Sequence, residues 1–229
     1  RSYMAKRFSE CSCSEAKRAI IIDFEGKKPS SKKDYPDQIL LGAWGPFGEG
    51  GSYEYRGWLF NPKYKPITKS MKFRKTVKVE DLPKAIETIL SIADIFESKI
   101  GCYSEHELNV IAAKADDLHS QVEERIVNVR QVAKVAAKHK GVFEKPWSLD
   151  TALSVLNVRG VDNRILQFDM ADYEEALIKA GDTSQRWSNW KDHQKQKSIE
   201  LIEYNRADVK NTYQLLQKSV NINEHYENQ

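Results

Sequence analysis

A run of four apolar residues, Ala19 to Ile22, leads directly into Asp23 and Glu25, with Phe24 between the two acids. The run predicts a buried strand over residues 17–24. Alternation along a strand places Asp23 and Glu25 on one face and Phe24 on the other. Carboxylates resist removal from water unless they are paired, hydrogen-bonded or bound to a metal. The pair is therefore either an edge-exposed feature solvated by water or part of a cation site.

Strand and helix patterns after this first strand define the fold class. Strand-like runs occupy residues 38–45 and 52–60, and the glycine-rich segment 45–51 joins them as a hairpin connection. Residues 80–98 repeat apolar positions at helical spacing, with Asp81 as the N-cap. This order predicts an α/β fold with a mixed central sheet flanked by helices, in which a three-stranded antiparallel meander is joined by parallel strands.

The other segments are expected to be loops, one short strand and further helices. Exposed loops are predicted at 27–37 and, with a strongly basic composition, at 61–78. The remaining expected elements are a short strand at 99–104 and helices at 105–115, 120–139 (with a break near Asn128), 148–157, 170–180 and a long one ending near 219.

Length and composition restrict the class of protein. The 229 residues, 40% of them hydrophobic, suit a single domain over 17–219, with a flexible arm at 1–16 and a frayed tail at 220–229. A net charge of +3 permits nucleic-acid binding only if the basic residues cluster on one face. Three cysteines argue against a disulfide framework and for a reducing, cytoplasmic compartment. The sequence has no apolar run of the length a membrane span needs, so no membrane partner is expected.

Two further acidic positions come later in the chain. Glu107 lies near the start of the helix expected at 105–115, beside its apolar stripe. The residues around it do not form a zinc-binding His-Glu-x-x-His motif, because Val110 stands at the last position. Tyr204 and Asp208 are four residues apart and therefore share one face of a helix. Taken singly, each position also fits an ordinary helix: a glutamate in the first turn, or a tyrosine packed beside a partly buried aspartate.

In combination, these positions resemble a known family. The segments "DFEGKKP" from Asp23, Tyr103 to Glu107, and "YNRADV" from Tyr204 are similar to the motifs of the DEDD 3′–5′ exonucleases of the ribonuclease H-like fold, in the subtype with a tyrosine in the last motif. The chain resembles most the ribonuclease H-like domain of predicted RecB-type nucleases, over roughly residues 17–218. Most of the wider superfamily has an aspartate where this chain has Glu107.

The resemblance implies a metal-dependent nuclease with a ribonuclease H-like fold. Asp23, Glu25, Glu107 and Asp208 would hold two ions, Mg²⁺ or Mn²⁺, which prefer oxygen ligands, and Tyr204 would be the general base. The substrate would be the 3′ ends of single-stranded DNA or RNA. A separate nuclease or helicase domain, or a partner protein, is a further expectation.

Four more residues are candidates for contact with the substrate. Phe24 and Gly26 adjoin the first acidic pair, and Trp187 and Trp190 offer rings on which unpaired bases could stack, although packing is the more common role for such tryptophans.

Two other functions stay open. One is a nucleic-acid-binding module that keeps the fold without turnover. The other is a ribonuclease H-type endonuclease or a transposase-like relative, which would not need a tyrosine at position 204.

Overall fold

The computed structural model describes residues 11–27, 29, 35–142, 147–160 and 170–228. The strands are β1 Ile20–Gly26, β2 Gln38–Gly45, β3 Glu54–Leu59, β4 Val77–Val79, β5 Ile100–Cys102 and β6 Ile126–Asn128. The α-helices are α1 Cys13–Arg18, α2 Leu82–Ile95, α3 His106–Lys114, α4 Asp116–Glu123, α5 Val129–His139, α6 Leu149–Val155, α7 Met170–Thr183 and α8 Asp192–Glu227. Short 3-10 helices span Glu49–Gly51, Pro62–Lys69 and Trp187–Asn189.

The strands form one six-stranded mixed sheet in the order β4-β3-β2-β1-β5-β6. Strands β1, β2 and β3 are the predicted antiparallel meander, in which Asp23 pairs with Gly42 and Gly42 pairs with Gly57. Strand β5 is parallel to β1, β6 is parallel to β5, and β4 is parallel to β3. The predicted α/β class, with an antiparallel meander joined by parallel strands and flanked by helices, is therefore confirmed.

Each face of the sheet buries its own hydrophobic core. Ile20, Ile22 and Phe24 of β1 point into a core built with helices α2, α3 and α4. Ile21 points the other way, into a core built with α1, α5, α6, α7 and α8. Asp23 lies on the same side as Ile21, because its carboxylate contacts α8. The expectation that alternation separates the two acids from Phe24 is thus correct.

Helix α8 is the longest helix in the described ranges and carries part of the candidate site. It has 36 residues and packs against β1, β2, α1, α5 and α7. Leu201, Val209 and Leu216 are fully buried along its length and hold it across the sheet. This packing presents the middle of α8 to the central strands. Among the described residues, each helix is either too short or too polar to cross a membrane.

The described parts of the expected flexible arm and frayed tail contain helix. Cys13–Arg18 form helix α1, which begins with a reciprocal cap between Ser12 and Glu15. Residues 1–10 of the expected arm lie outside the described residues. At the other end, α8 continues from 219 to Glu227, so the expectation of a frayed tail from 220 is wrong over this stretch.

The extension of α8 has a physical cause in its packing. Val220 and Ile222 are buried in the same core as α1. The backbone N–H of Cys13 also donates to Glu224 Oε1 at 2.6 Å, which ties α1 to the end of α8. Buried apolar area and this hydrogen bond offset the entropy that ordering the tail costs.

Two other segments depart from the expected elements. The basic stretch 61–78 is not a loop throughout, because it forms the 3-10 helix Pro62–Lys69, which buries Tyr64 and Ile67, and then enters β4. The break near Asn128 in the helix expected at 120–139 is strand β6, with separate helices on either side. Most of the loop expected at 27–37 falls outside the described residues.

Candidate metal centre

Three carboxylates meet between β1 and α8. One oxygen from each of Asp23, Glu25 and Asp208 lies within 4.8 Å of the others. The strand supplies the first two because residues two apart share a face, and α8 supplies the third from the face packed on β1. Carboxylate oxygens are hard ligands, and a set made only of them suits Mg²⁺ or Mn²⁺ better than a softer metal. These three carboxylates could therefore hold a divalent metal ion.

Glu107 approaches the same place from the other side of β1. It lies in the first turn of α3, where a negative charge is favourable, and it is only 3% exposed. The hydroxyl of Ser104 donates to Glu107 Oε2 at 3.2 Å. The charge of Glu107 also contributes to raising the pKa of Asp23, so the two carboxylates interact. Four acidic side chains that the sequence places in three separate segments are therefore brought together.

Tyr204 adjoins this group on α8. Burial raises the pKa of its phenol far above the usual value, and the charges of Asp208 and Glu25, with a hydrogen bond to Asp208, raise it further. The side chain is half-buried and lines the same cleft as the acids. With its pKa raised in this way, the phenol keeps its proton and donates it in hydrogen bonds to its neighbours. A positive charge in the site would lower the pKa and favour the phenolate.

The electrostatic state of the acids shows how strongly the site favours positive charge. Burial, followed by the charge of Asp208, raises the pKa of Glu25 to about 8. Burial raises the pKa of Glu107 to about 7. The pKa of Asp23 lies well above its ordinary range, because of burial and then the charges of Glu25, Glu107 and Asp208. For Glu107 the shift reflects burial, and for Asp23 and Glu25 it reflects burial together with neighbouring negative charge. A bound cation would oppose all three shifts.

A cleft of about 690 Å³ opens onto this centre. Its walls include Asp23, Glu25, Glu107 and Tyr204, together with His106. The volume lies within the range of pockets that hold small ligands. A substrate could thus reach the acidic residues directly from solvent.

Two residues of the site were not predicted from the sequence. Asn205 is fully buried, and its Nδ2 donates to Asp23 Oδ2 at 2.9 Å and to the Asp23 backbone oxygen at 3.2 Å, with Glu25 Oε1 at 3.4 Å. The hydroxyl of Tyr55, on β3, donates to Asn205 Oδ1 at 2.9 Å. Asn205 follows Tyr204 directly in "YNRADV", so its place within the motif could have indicated a role in the site. Tyr55 lies outside every motif, and nothing in the sequence near it points to the site.

The four expected substrate-contact residues have different surroundings. Gly26 lies on the wall of the cleft. Phe24 also borders it, but its side chain is buried in the opposite core beside Phe60. Trp190 is 3% exposed and its indole N–H donates to the backbone oxygen of Ser184, so its ring is part of the core.

The remaining tryptophan also belongs to the packing of this region. Trp187 is half-buried and packs on Trp190, with 5.4 Å between the ring centroids. Neither tryptophan is among the residues that line the acidic cleft. The packing role, which the sequence left open, therefore accounts for both rings.

Comparison of the chain with protein-family models, with curated proteins and with solved structures gave no match in any of the three. The geometry of the acidic cleft is therefore the basis for assigning a function.

Proposed function

We propose that this protein is a metal-dependent 3′–5′ exonuclease with a ribonuclease H-like fold, which hydrolyses phosphodiester bonds at the ends of single-stranded DNA or RNA. The observation that carries the proposal is the convergence of Asp23, Glu25 and Asp208 within 4.8 Å, with Glu107 and Tyr204 on the same cleft. In the sequence these five residues lie in three separate segments, whose spacings resemble the motifs of that family.

The sheet supports the fold part of the proposal. A three-stranded antiparallel meander continued by parallel strands is the arrangement that the family resemblance implies, and β3-β2-β1-β5-β6 has it. The first acidic pair lies on the central strand β1, and the last motif lies on a helix packed across that strand.

Each residue of the centre has a role that follows from its position. Asp23, Glu25, Glu107 and Asp208 would hold two Mg²⁺ or Mn²⁺ ions, and these ions would supply activation of the attacking water and stabilisation of the leaving oxygen. Tyr204 would orient that water through its hydroxyl, which lies next to Asp208, and it could accept the water's proton only as a phenolate, a form that the positive charge of the bound ions would favour. Protons compete with metal for the carboxylates, so cleavage should increase from acidic toward alkaline pH.

A labelled-strand assay tests the proposal. Single strands labelled at the 3′ or the 5′ end are incubated with Mn²⁺, Mg²⁺ or EDTA, beside the variants Asp23→Asn and Asp117→Asn. Asp117 is an exposed aspartate on α4 and serves as the matched control. We expect stepwise shortening from the 3′ end that requires metal. The rate should fall by about 100-fold or more in Asp23→Asn, because loss of a residue that merely supports a metal ligand already costs up to about 100-fold. The rate should not change in Asp117→Asn.

The other functions give different results in the same assay. Binding of the strand without cleavage under every metal condition would indicate a nucleic-acid-binding module. Internal cuts in an RNA–DNA hybrid would indicate a ribonuclease H-type endonuclease. Cleavage that is equally fast in Asp23→Asn and the parent would show that the acidic cleft is not the active site.

A further inference from the structure

Asn205 is placed where it can control the shape of the acidic centre. It has no exposed surface, and its amide nitrogen faces both carboxylates of β1. The nitrogen has two hydrogens, and Asp23 Oδ2, the Asp23 backbone oxygen and Glu25 Oε1 lie within 3.4 Å of it. A neutral amide can therefore draw the two acids toward a common point without adding the positive charge that would compete with a metal ion.

Tyr55 holds the other end of the same amide. Its side chain is buried, and its hydroxyl donates to Asn205 Oδ1 at 2.9 Å. The amide oxygen can only accept, and the same holds for an ionised carboxylate, so a flipped amide would set its oxygen against the oxygens of Asp23 and Glu25 in the state that binds metal. The bond from Tyr55 therefore supports the single orientation of the amide in which its nitrogen faces Asp23 and Glu25.

The sheet makes room for this arrangement at one glycine. Gly42 pairs with Asp23 on β2, and a Cβ atom at position 42 would lie 1.6 Å from Asn205 Oδ1. Only a residue without a side chain leaves space for the amide there. Strands β1 and β3 thus supply the hydrogen-bond partners of the amide on α8, and β2 leaves the space for it.

We propose that Asn205 and Tyr55 are positioning residues, which hold the carboxylates of Asp23 and Glu25 in the orientation that binds the metal ions. This inference rests on the proposed function, since it assigns a role within the same site. Tyr55 acts only through Asn205, and Asn205 acts through the acids. Residues that support metal ligands in this way commonly change metal affinity by about 10–100-fold when they are removed.

A double-mutant cycle on Mn²⁺ affinity tests this arrangement. The parent, Tyr55→Phe, Asn205→Ala and the double variant are titrated with Mn²⁺, and free Mn²⁺ is followed by electron paramagnetic resonance. We expect the dissociation constant to rise about tenfold in Tyr55→Phe. Because Tyr55 acts through Asn205, the double variant should bind Mn²⁺ no more weakly than Asn205→Ala alone.

The control is Tyr53→Phe, which removes a hydroxyl that donates to the backbone oxygen of Ala19 at 3.2 Å, away from the acids. This change should leave Mn²⁺ affinity unaltered. Thermal melting is measured for all variants, so that a general loss of stability is separated from a loss of metal affinity. If Asn205→Ala does not fold, the comparison of Tyr55→Phe with Tyr53→Phe decides alone.

The outcomes separate this inference from the exonuclease proposal. The positioning role would be overturned if Tyr55→Phe bound Mn²⁺ as tightly as the parent. It would also be overturned if the rise in the dissociation constant of the double variant equalled the product of the rises in the two single variants. Either result would leave the exonuclease proposal standing. A parent that binds Mn²⁺ but never cleaves would end the exonuclease proposal, while the affinities would still decide the positioning role. A parent that does not bind Mn²⁺ would overturn both.

Discussion

The substitution Glu25→Gln should stabilise the metal-free protein at alkaline pH. Glu25 is buried among other carboxylates, and its pKa rises from 4.5 to about 8. When folding raises the pKa of a carboxyl, the protonated group stabilises the folded state fully at pH values below the pKa of the unfolded state. This stabilisation is lost as the pH rises through the pKa of the folded state. The metal-free parent should therefore become less stable between about pH 4.5 and pH 8.

The size of the effect follows from the same shift. One pKa unit corresponds to about 1.4 kcal/mol, so ionisation of Glu25 should lower the free energy of unfolding by about 3 kcal/mol between pH 5 and pH 8. Glutamine has nearly the same shape and does not ionise. We expect Glu25→Gln to exceed the parent by an amount of this order at pH 8 and by less than about 1 kcal/mol at pH 5.

Urea unfolding in EDTA at the two pH values measures this difference. Adding Mg²⁺ at pH 8 should restore much of the stability of the parent and little in Glu25→Gln, because the ion relieves repulsion that the variant lacks. Glu87→Gln, on an exposed position of α2, is the matched control and should show neither effect. A gap between Glu25→Gln and the parent that is equal at pH 5 and pH 8 would refute the argument from buried charge.

Three further changes test the packing around the site and at the chain ends. Gly42→Ala should displace the amide of Asn205, lowering the free energy of unfolding by about 1–3 kcal/mol and weakening Mn²⁺ binding, as measured by urea unfolding and by titration; parental Mn²⁺ affinity would contradict this. Deletion of residues 220–229 should cost at least about 2 kcal/mol, because two buried apolar side chains are lost, and an unchanged melting temperature would support the frayed tail instead. Asp81→Ala should cost about 1 kcal/mol, because the Asp81 carboxylate accepts the backbone N–H of Lys84 at the start of α2, and unchanged urea unfolding would speak against that cap.

Local chemistry predicted several elements closely. The strand expected at 38–45 has the bounds of β2, and the helix expected at 80–98 contains α2, with Asp81 as its N-cap. Capping residues and apolar periodicity are properties of short segments, so the sequence alone reveals them. The face shared by Asp23 and Glu25 was also predictable, because it follows from strand geometry.

Elements that depend on distant partners were not predictable in the same way. Strand β6 consists of three residues within an expected helix, and it exists because Ile126 to Asn128 pair with β5. Strand β4 likewise depends on its pairing with β3. A three-residue segment has too little pattern of its own, and the pairing outweighs its local preference.

The acidic centre shows the same division. Asp23, Glu25, Glu107, Tyr204 and Asp208 were identified because their spacings resemble known motifs. Tyr55 belongs to no such motif, and it reaches Asn205 across 150 positions of sequence. The burial of Trp190 could not be predicted from the sequence either, because a tryptophan between polar residues suits a surface as well as a core.

The length of chain between β1 and α8 has a consequence for how the protein matures. Asn205 contacts Asp23 across 182 positions, whereas the meander β1–β3 is built from near neighbours. A contact between distant segments costs the entropy of closing a large loop before it contributes any stability, so such contacts form later than local ones. Because α8 supplies Asp208, metal binding at this centre would require α8 to have docked. Stopped-flow refolding followed by Mn²⁺ uptake would then time that docking separately from formation of the β1–β3 meander.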